Sequence, residues 1–547
     1  MQEPSLPQAA VTIPPPRSDA PLRPADHAAT RPGRALRSLH AAARRVGPVL
    51  RRHWLIAAFV AVAVGLRIVV MIAYWPALEL FTDTSDYLSL AHRLVPGLWH
   101  PSGYGLFLAL LSPTGQIGVV VVVQHLMGIV MGLLVYTLVL RLGARRWLAA
   151  LAAVPVLLDG YQLSLEQFIL AETVASLLLL GALVLLLPRD TVGVRRGAIV
   201  GLLLAAATIA RTEILPVVVL VGLYLLLRRA NRQALLTYCA VVVVMLGGYG
   251  GWYAANYGRF GVDDWTGIYL YGRVAPFATC DYSLSAGEAR LCPTQPVSQR
   301  TKNGEFYSDA HGSPLWAAPD LGSRHQRNAL AQRFAITVIE HQPLDYLSAV
   351  LADTWHYFTP GRWMTTDQID MQRWKFPSPH IHPMRDNYHV FFADEGFDQR
   401  RITPSPDAAL MGPLRTYQSI FYTPGPLFLA CLIGALAVAL GLVRRGSRRR
   451  QARWACLVLA LTALAVLLSP SLIWGFSYRY DIPLLILLPP AGALAADFGL
   501  NAMGRRRVGG RGPVGEREGK LRRSTTPTPP PDRTGATAAA ATQSEAG

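Results

Sequence analysis

Seven apolar runs, each about 20 residues long, divide this chain of 547 residues. Because a bilayer core about 30 Å thick is crossed by roughly 20 residues of apolar α-helix, each run predicts a membrane span. Only 16% of the residues are charged, against roughly 25% in a soluble domain, so the composition agrees with this prediction. The sequence therefore predicts an all-α polytopic membrane protein. The runs cover residues 55–75, 117–140, 167–187, 234–252, 424–443, 454–475 and 482–500.

Three shorter apolar runs, 148–158, 197–210 and 214–227, alternate with clusters of arginine. Arginine and lysine collect at the cytoplasmic ends of membrane spans. All the arginine clusters and both tails share one side only when the short runs also cross the membrane. The sequence thus predicts about ten spans in a multi-pass protein of the plasma (inner) membrane, with both termini cytoplasmic. The net charge of +18 then reflects topology, and no basic patch interleaved with aromatic residues indicates nucleic-acid binding.

The order of the runs also predicts how the chain is organised. Both ends are too poor in large apolar residues to form a packed core, so we expect disordered tails. One long segment between spans 7 and 8 lacks a run of membrane length, and we expect it to form a small extracytoplasmic domain. The predicted regions are a cytoplasmic tail at 1–53, spans 1–7 at 54–252 with a first outer loop at 76–116, the extracytoplasmic domain at 253–423, spans 8–10 at 424–500, and a second cytoplasmic tail at 501–547.

Two aspartates, Asp83 and Asp86, follow the first predicted span in the outer loop. A carboxylate held at the membrane surface can act as a general base toward a hydroxyl group or as a metal ligand. The DxxD spacing alone is weak evidence, because either aspartate could instead cap a helix over about 85–94. Both residues are therefore candidate catalytic residues.

Two glutamates, Glu166 and Glu172, lie at the start of the fourth predicted span. Residues six apart on a helix are about 120° out of register and do not share a face. Glu172 falls inside the apolar run, where an unpaired carboxylate is costly, so we predict that it forms a second acidic site. A packed neutral glutamate is the alternative there, and Glu166 could equally be a solvated loop residue.

Two arginines, Arg211 and Arg479, are candidates for binding a phosphate group. The hairpin 197–227 is too short to carry its tip clear of the bilayer, because 14 helical residues reach only about 21 Å, so Arg211 should lie in a recess. Its alternative is a snorkelling side chain paired with Glu213. Arg479 lies between the last two spans, where its planar donors suit a phosphate, or where it could simply pair with Asp481.

Two of the five cysteines, Cys280 and Cys292, lie in the predicted extracytoplasmic domain, and the other three lie in predicted spans. Thiols on an oxidising face of the membrane favour a disulfide bond. The chain has no CxxC motif and no Cys/His ligand spacing, which excludes an ordinary zinc or iron–sulfur module. We predict no metal site, although a divalent cation stays an open alternative.

Several further segments strengthen one interpretation. They are DTSDYL at 83–88, HPSGYGLFLALL at 100–111, LAE at 170–172, GLLLAAATIARTE at 201–213, HQPLDYL at 341–347 and RYDIPLLILLPP at 479–490. Their order, over most of residues 55–500, resembles the GT-C superfamily of membrane glycosyltransferases that use polyprenyl-phosphate-linked sugars. The chain is most similar to the group of protein mannosyltransferases, aminoarabinose transferases and rhizobial-type transferases.

The resemblance implies an enzyme that transfers a mannose-like hexose, with inversion, from a polyprenyl phosphate to an extracytoplasmic acceptor. It places Asp83 at the position of the catalytic base and Glu172 at the second acidic position. It also implies that Arg211 and Arg479 face the donor phosphate. The implied partners are the lipid-linked sugar, membrane lipid, and an unidentified protein, glycan or glycolipid acceptor.

The chain departs from the group's pattern beside its first aspartate. Thr84 and Ser85 stand where the group has paired acids, which weakens the case for a metal, and whether Asp86 substitutes stays open. The rival interpretation is a membrane carrier or flippase for lipid-linked sugars that performs no transfer. Inverted repeats would favour a carrier, and the order of short and long apolar runs shows none.

Overall fold

The structure is a computed structural model that describes residues 48, 51–189, 191–302, 304–309, 311–360, 374–378, 390–391, 407–443 and 450–509. The chain divides into two compact units, Met1–Ala57 and Ala58–Gly547. In the first unit, the described residues include those that begin the first long helix. Of the two predicted tails, residues 1–47, 49–50 and 510–547 lie outside the described residues.

The described part of the chain is built mainly from α-helices. Those of the first part of the chain are α1 Trp54–Ala73, α2 Phe81–Arg93, α3 Gly103–Leu111, α4 Ile117–Arg141, α5 Arg146–Leu158, α6 Gly160–Gln167, α7 Glu172–Leu186, α8 Val194–Ala210, α9 Leu215–Leu227 and α10 Arg232–Tyr257. Those that follow are α11 Thr266–Val274, α12 Ala286–Ala289, α13 Gly304–Asp309, α14 Pro314–Ala317, α15 Arg324–His341, α16 Pro343–His356, α17 Ala408–Ile420, α18 Gly425–Ala439, α19 Arg450–Ile473 and α20 Ile482–Gly509.

Several helices are long and apolar enough to span a membrane, as expected of a multi-pass membrane protein. Five qualify by length and composition within the described residues, and two bent pairs, α5 with α6 and α17 with α18, raise the number to seven if each pair is one span. Shorter apolar helices correspond to the runs at 167–187 and 214–227. The predicted count of ten spans and the orientation of the termini stay predictions.

A short pair of strands fixes the segment after α1. Strand β1 (Leu78–Glu79) pairs antiparallel with β2 (Val390–Phe391), and Leu78 also forms a parallel bridge with Phe168. The Thr84 hydroxyl accepts a hydrogen bond from the Leu80 backbone N–H at 2.9 Å and donates one to the Ile169 carbonyl at 3.2 Å. These bonds tie the start of α2 to the segment between α6 and α7.

Helix α2 begins at Phe81, earlier than the helix considered over 85–94. Leu80 occupies its N-cap position, so neither Asp83 nor Asp86 caps it. Asp83 lies instead in the first turn, where a carboxylate interacts favourably with the helix dipole.

The expectation that Glu166 could be a solvated loop residue was wrong. Its side chain is fully buried in α6, where it pairs with Arg67 of α1 at 2.8 Å and contacts His125 of α4 at 2.8 Å. Gln162 donates a further hydrogen bond to the same carboxylate at 2.8 Å. A buried charge is tolerated only when it is paired and hydrogen-bonded, and this cluster meets both conditions.

Helices α11 and α15 pack against each other around a hydrophobic core, called here the α11–α15 core. Helix α15 ends at His341 and α16 begins at Pro343, because the proline has no N–H to continue the hydrogen bonds of α15. A disulfide bond joins Cys280 and Cys292 beside this core, with the Cα atoms 6.4 Å apart. The buried members of the core include Ile268, Tyr271, Val274, Leu291, Tyr307, Leu330, Phe334 and Val338.

The last helix, α20, continues to Gly509, beyond the predicted end of the last span at residue 500. Asn501 explains part of this extension. Its side chain donates hydrogen bonds to the Asp497 carbonyl and carboxylate at 2.7 and 2.8 Å, and it accepts one from Arg145 at 3.1 Å. The helical turn after residue 500 is therefore held by contacts to the preceding turn and by one contact from Arg145, which is distant in sequence.

Candidate functional site

A cavity of about 1470 Å³ lies where the ends of several helices meet. Its wall combines ionisable residues with aromatic rings and with residues at the ends of the apolar helices α8 and α19. Three of the predicted site residues, Asp83, Arg211 and Arg479, line it. Other lining residues are Tyr87, Trp99, His100, Glu213, Tyr269, Trp374, Pro470, Ile473, Trp474 and Tyr480.

Asp83, which is buried, and Arg479, which is partly buried, form an ion pair in the wall of this cavity. The Arg479 Nη1 donates a hydrogen bond to Asp83 Oδ2. Burial alone would raise the pKa of the Asp83 carboxyl, but Arg479, His100 and Arg211 outweigh burial and lower that pKa well below its usual range. Asp83 is therefore ionised. Arg479 thus pairs with Asp83, whereas the alternative considered from the sequence named Asp481 as its partner.

Arg211 holds two carboxylates. Its Nη1 donates to Glu172 Oε1 at 2.5 Å, and its Nε and Nη2 donate to the two oxygens of Glu213 at 3.0 and 2.8 Å. Burial would lower the pKa of Arg211, yet Glu172 and Glu213 raise it well above its usual value, so the side chain stays charged. Arg211 is buried, as expected for a residue in a recess, and it also forms the ion pair with Glu213 that was considered as the alternative.

The two arginines lie close together and share one aromatic neighbour. The guanidinium carbons of Arg211 and Arg479 lie 5.4 and 5.3 Å from the ring centroid of Tyr480, and that of Arg479 lies 5.7 Å from the Trp374 ring. Glu172 lies between them, because its Oε1 is also 3.9 Å from Arg479 Nη1. Cation–π contacts of this kind orient a guanidinium without using its N–H donors.

Arg479 has a side-chain nitrogen without a hydrogen-bond partner among the described residues, whereas each nitrogen of Arg211 donates at least one hydrogen bond. Among the described residues, the buried Nε of Arg479 has no hydrogen-bond partner, and the same holds for Glu172 Oε2. An unpartnered donor on a buried cation is costly, and an anionic ligand would satisfy it. The spare capacity is therefore on the arginine that is paired with Asp83.

Local packing determines where these residues meet. Arg211 follows the last residue of α8, and Glu172 is the first residue of α7. Helix α3 packs its Gly103 so closely against α8 that an added Cβ would lie 2.6–2.7 Å from backbone atoms of Ile209 and Ala210. Glycine at position 103 thus allows the segment that follows His100 to approach Arg211.

The remaining candidates, Asp86 and the two cysteines, do not contact Arg211 or Arg479 in the contacts of the described residues. Asp86 contacts His100 rather than either arginine, with its Oδ2 3.0 Å from the His100 Nδ1. His100 itself was not chosen as a site residue, although the sequence places it in a His-Pro segment that belongs to the resemblance. Cys280 and Cys292 pack against the α11–α15 core and are absent from the cavity wall.

Within the described residues, no group of three or more His, Cys, Asp or Glu side chains is placed to hold a metal ion. The two arginines contact three carboxylates, those of Asp83, Glu172 and Glu213, so the arginines balance only part of the negative charge around them.

Comparison with known proteins gives a distant match. No protein-family model matches the chain, and no curated protein matches it. A solved structure of the S. cerevisiae protein O-mannosyltransferase Pmt1-Pmt2 complex bound to the sugar donor matches with a TM-score of 0.30 and 14% sequence identity. The match covers 42% of this chain and 37% of that one, so the chain spans little more than a third of that protein's length.

Proposed function

We propose that this protein is a membrane glycosyltransferase that transfers a hexose from a polyprenyl-phosphate donor to an extracytoplasmic acceptor. The observation that carries the proposal is the placement of two arginines, the buried Arg211 and the partly buried Arg479, beside Asp83 in the wall of a large cavity. Two cations suit an anionic leaving group, and a neighbouring carboxylate suits proton removal from a hydroxyl group.

The donor phosphate is proposed to bind first to Arg479. Its Nε lacks a partner in the described structure, while Arg211 already holds Glu172 and Glu213. Arg211 then contributes positive charge from a fixed position, because its two carboxylates restrict its movement. The lipid tail would lie against the apolar helices α8 and α19, whose ends reach the cavity.

Asp83 is proposed as the general base. In the structure its Oδ2 is occupied by Arg479, which lowers its basicity. A phosphate that draws Arg479 toward itself would free this oxygen at the moment the donor is in place. The acceptor hydroxyl would then lose its proton to Asp83, form a bond to the anomeric carbon and displace the lipid phosphate with inversion.

The test uses purified protein in lipid with radiolabelled polyprenyl-phosphate-mannose and a membrane extract that supplies the acceptor. We expect label to leave the lipid with the wild type, and the Asp83→Asn variant to be slower by about 10²–10⁴, the usual contribution of a general base. The Arg479→Gln variant should also transfer the sugar more slowly than the wild type. The expected loss is roughly 10²–10³-fold, the usual effect of removing a hydrogen-bond donor to a developing anion.

Matched controls come from an exposed ion pair outside the cavity, Arg290 with Asp320. Asp320→Asn and Arg290→Gln change the same functional groups and should leave transfer at the wild-type rate. Near-normal turnover by Asp83→Asn would reject the assignment of the base. Folded wild-type protein that removes no label from several polyprenyl sugars would reject transferase chemistry and favour a carrier.

A further inference from the structure

His100 lies between two carboxylates at the edge of the proposed site. Its Nδ1 is 3.0 Å from Asp86 Oδ2, and its Nε2 is 3.8 Å from Asp83 Oδ2. The ring is held from the sides by Trp99, whose centroid is 5.1 Å away, and by Tyr87, whose centroid is 4.9 Å away. The imidazole is therefore fixed in a line with both carboxylates.

The contact with Asp86 assigns the tautomer of His100. An ionised carboxylate only accepts hydrogen bonds, so Nδ1 of the neutral ring carries the proton and donates it to Asp86. Nε2 is then the basic nitrogen, and it faces Asp83. An imidazole oriented by a carboxylate on its far side is the arrangement that general bases adopt in many hydrolases.

One oxygen of Asp83 links the two halves of the site. Oδ2 accepts the hydrogen bond from Arg479 and is also the oxygen nearest to His100 Nε2. If a donor phosphate draws Arg479 away, a movement of less than about 1 Å would bring His100 Nε2 from 3.8 Å to hydrogen-bond distance of this oxygen. The side-chain exposure rises from 7% at Asp83 to 13% at His100 and 26% at Asp86, so the line runs from the buried site toward water.

We propose that His100 and Asp86 form a proton relay that receives the acceptor's proton from Asp83. This inference rests on the glycosyl transfer proposed above. The hydroxyl proton passes to Asp83 Oδ2 and on to His100 Nε2, which yields a neutral Asp83 side chain only in passing. The imidazolium is stabilised by Asp86, keeps its Nδ1 proton in that hydrogen bond and releases its Nε2 proton to water in the cavity, which restores the starting tautomer and leaves Asp83 ionised.

The relay has a physical reason in the charge that stays beside Asp83. Arg211 keeps its position when Arg479 turns to the phosphate, and it continues to lower the pKa of the Asp83 carboxyl, so Asp83 holds a proton poorly. A neighbouring imidazole that accepts this proton therefore favours its removal from the acceptor. The same charge pattern is familiar from triads in which a carboxylate stabilises the imidazolium that forms.

The charged groups that face His100 determine its expected pH behaviour. Asp83 and Asp86 face it from α2, and Asp263 interacts with it from the segment before α11. Arg479 and Arg211 lie behind Asp83. Tyr87 contacts the ring but stays neutral, because burial raises the pKa of its hydroxyl well above the usual value.

The experiment measures kcat/KM for transfer against pH with the same labelled donor in lipid. The wild-type profile should have an acidic limb that His100→Gln lacks, and His100→Gln should be slower by about 10²-fold or more. Asp86→Asn should also be slower, because the imidazolium that forms loses a neighbouring negative charge.

His325→Gln is the matched control, because His325 also contacts an aspartate, Asp264, at 3.0 Å and is absent from the cavity wall. It should keep the wild-type rate and profile. A His100→Gly variant whose activity rises with added imidazole would separate a chemical role from a structural one. His100→Gln with the wild-type rate and an unchanged acidic limb would overturn the relay, while an inactive wild type would instead overturn the proposed transfer.

Discussion

The buried cluster of Arg67, Glu166 and His125 makes a sharp prediction about stability. Replacement of Glu166 by Gln keeps the shape of the side chain but removes its charge. Arg67, whose side chain is 3% exposed, would then be a buried cation without a carboxylate, since its other hydrogen bonds go to backbone carbonyls such as that of Leu157 at 2.8 Å. Guanidinium groups do not lose their proton in proteins, so the charge cannot be relieved.

The magnitude follows from the cost of breaking a buried pair. Removing one partner typically costs about 3–5 kcal/mol, which corresponds to roughly 10²–10³-fold or more in the unfolding equilibrium. Replacing both partners leaves no charge behind. The double variant Arg67→Met with Glu166→Gln should therefore be more stable than Glu166→Gln alone, despite carrying one more substitution.

The assay is unfolding in one detergent, followed by far-UV circular dichroism during titration with SDS, on the wild type, both single variants and the double variant. Arg290→Met is the control, because Arg290 and its partner Asp320 are 42% and 67% exposed. An ion pair so open to water is screened and contributes little to stability. Additive effects of the two substitutions, or a Glu166→Gln variant within about 1 kcal/mol of the wild type, would refute the reasoning.

Three further outcomes can be measured on the same preparation. Cys280→Ser should lower the free energy of unfolding of the wild type by about 3 kcal/mol, because the bond to Cys292 closes a loop over a separation of 12 residues, and a reductant should reproduce the loss. Asp83 has a lowered pKa in the folded state, so its contribution to stability is present above about pH 4 and disappears as the pH falls further. The thermal midpoint of Asp83→Asn should therefore fall less steeply in acid than that of the wild type. Gly103→Ala should cost about 1–3 kcal/mol because its Cβ would meet backbone atoms, whereas Gly181→Ala, whose Cβ would meet only a leucine methyl group at 3.6 Å, should fold normally.

Several site residues could be chosen from the sequence because their chemistry conflicts with their surroundings. Arg211 and Glu172 are ionisable groups next to apolar runs, and such groups need a partner or a function. The structure brings them into contact at 2.5 Å. Nothing in the sequence indicated that Glu213 and Glu172 would share one arginine, because that depends on how α7 and α8 pack.

Other residues gave no local signal. Glu166 looked like a loop residue because it precedes the apolar run, yet three side chains from other turns and helices surround it. His100 could have been found only through its His-Pro segment, since a single histidine has no ligand or triad spacing in sequence. The role proposed for it rests on Asp83 and Asp86, which α2 places on either side of it.

The sequence by itself determined the all-α character of the chain, most of its apolar helices and the break at Pro343. These features depend on local rules, because an apolar run must leave water and a proline cannot donate the hydrogen bond that continues a helix. Only the tertiary structure decided that Arg479 pairs with Asp83, 396 residues earlier, and that Arg67 pairs with Glu166. Charges buried in a water-poor interior must find partners, and which partners they find depends on helix packing that no short stretch of sequence encodes.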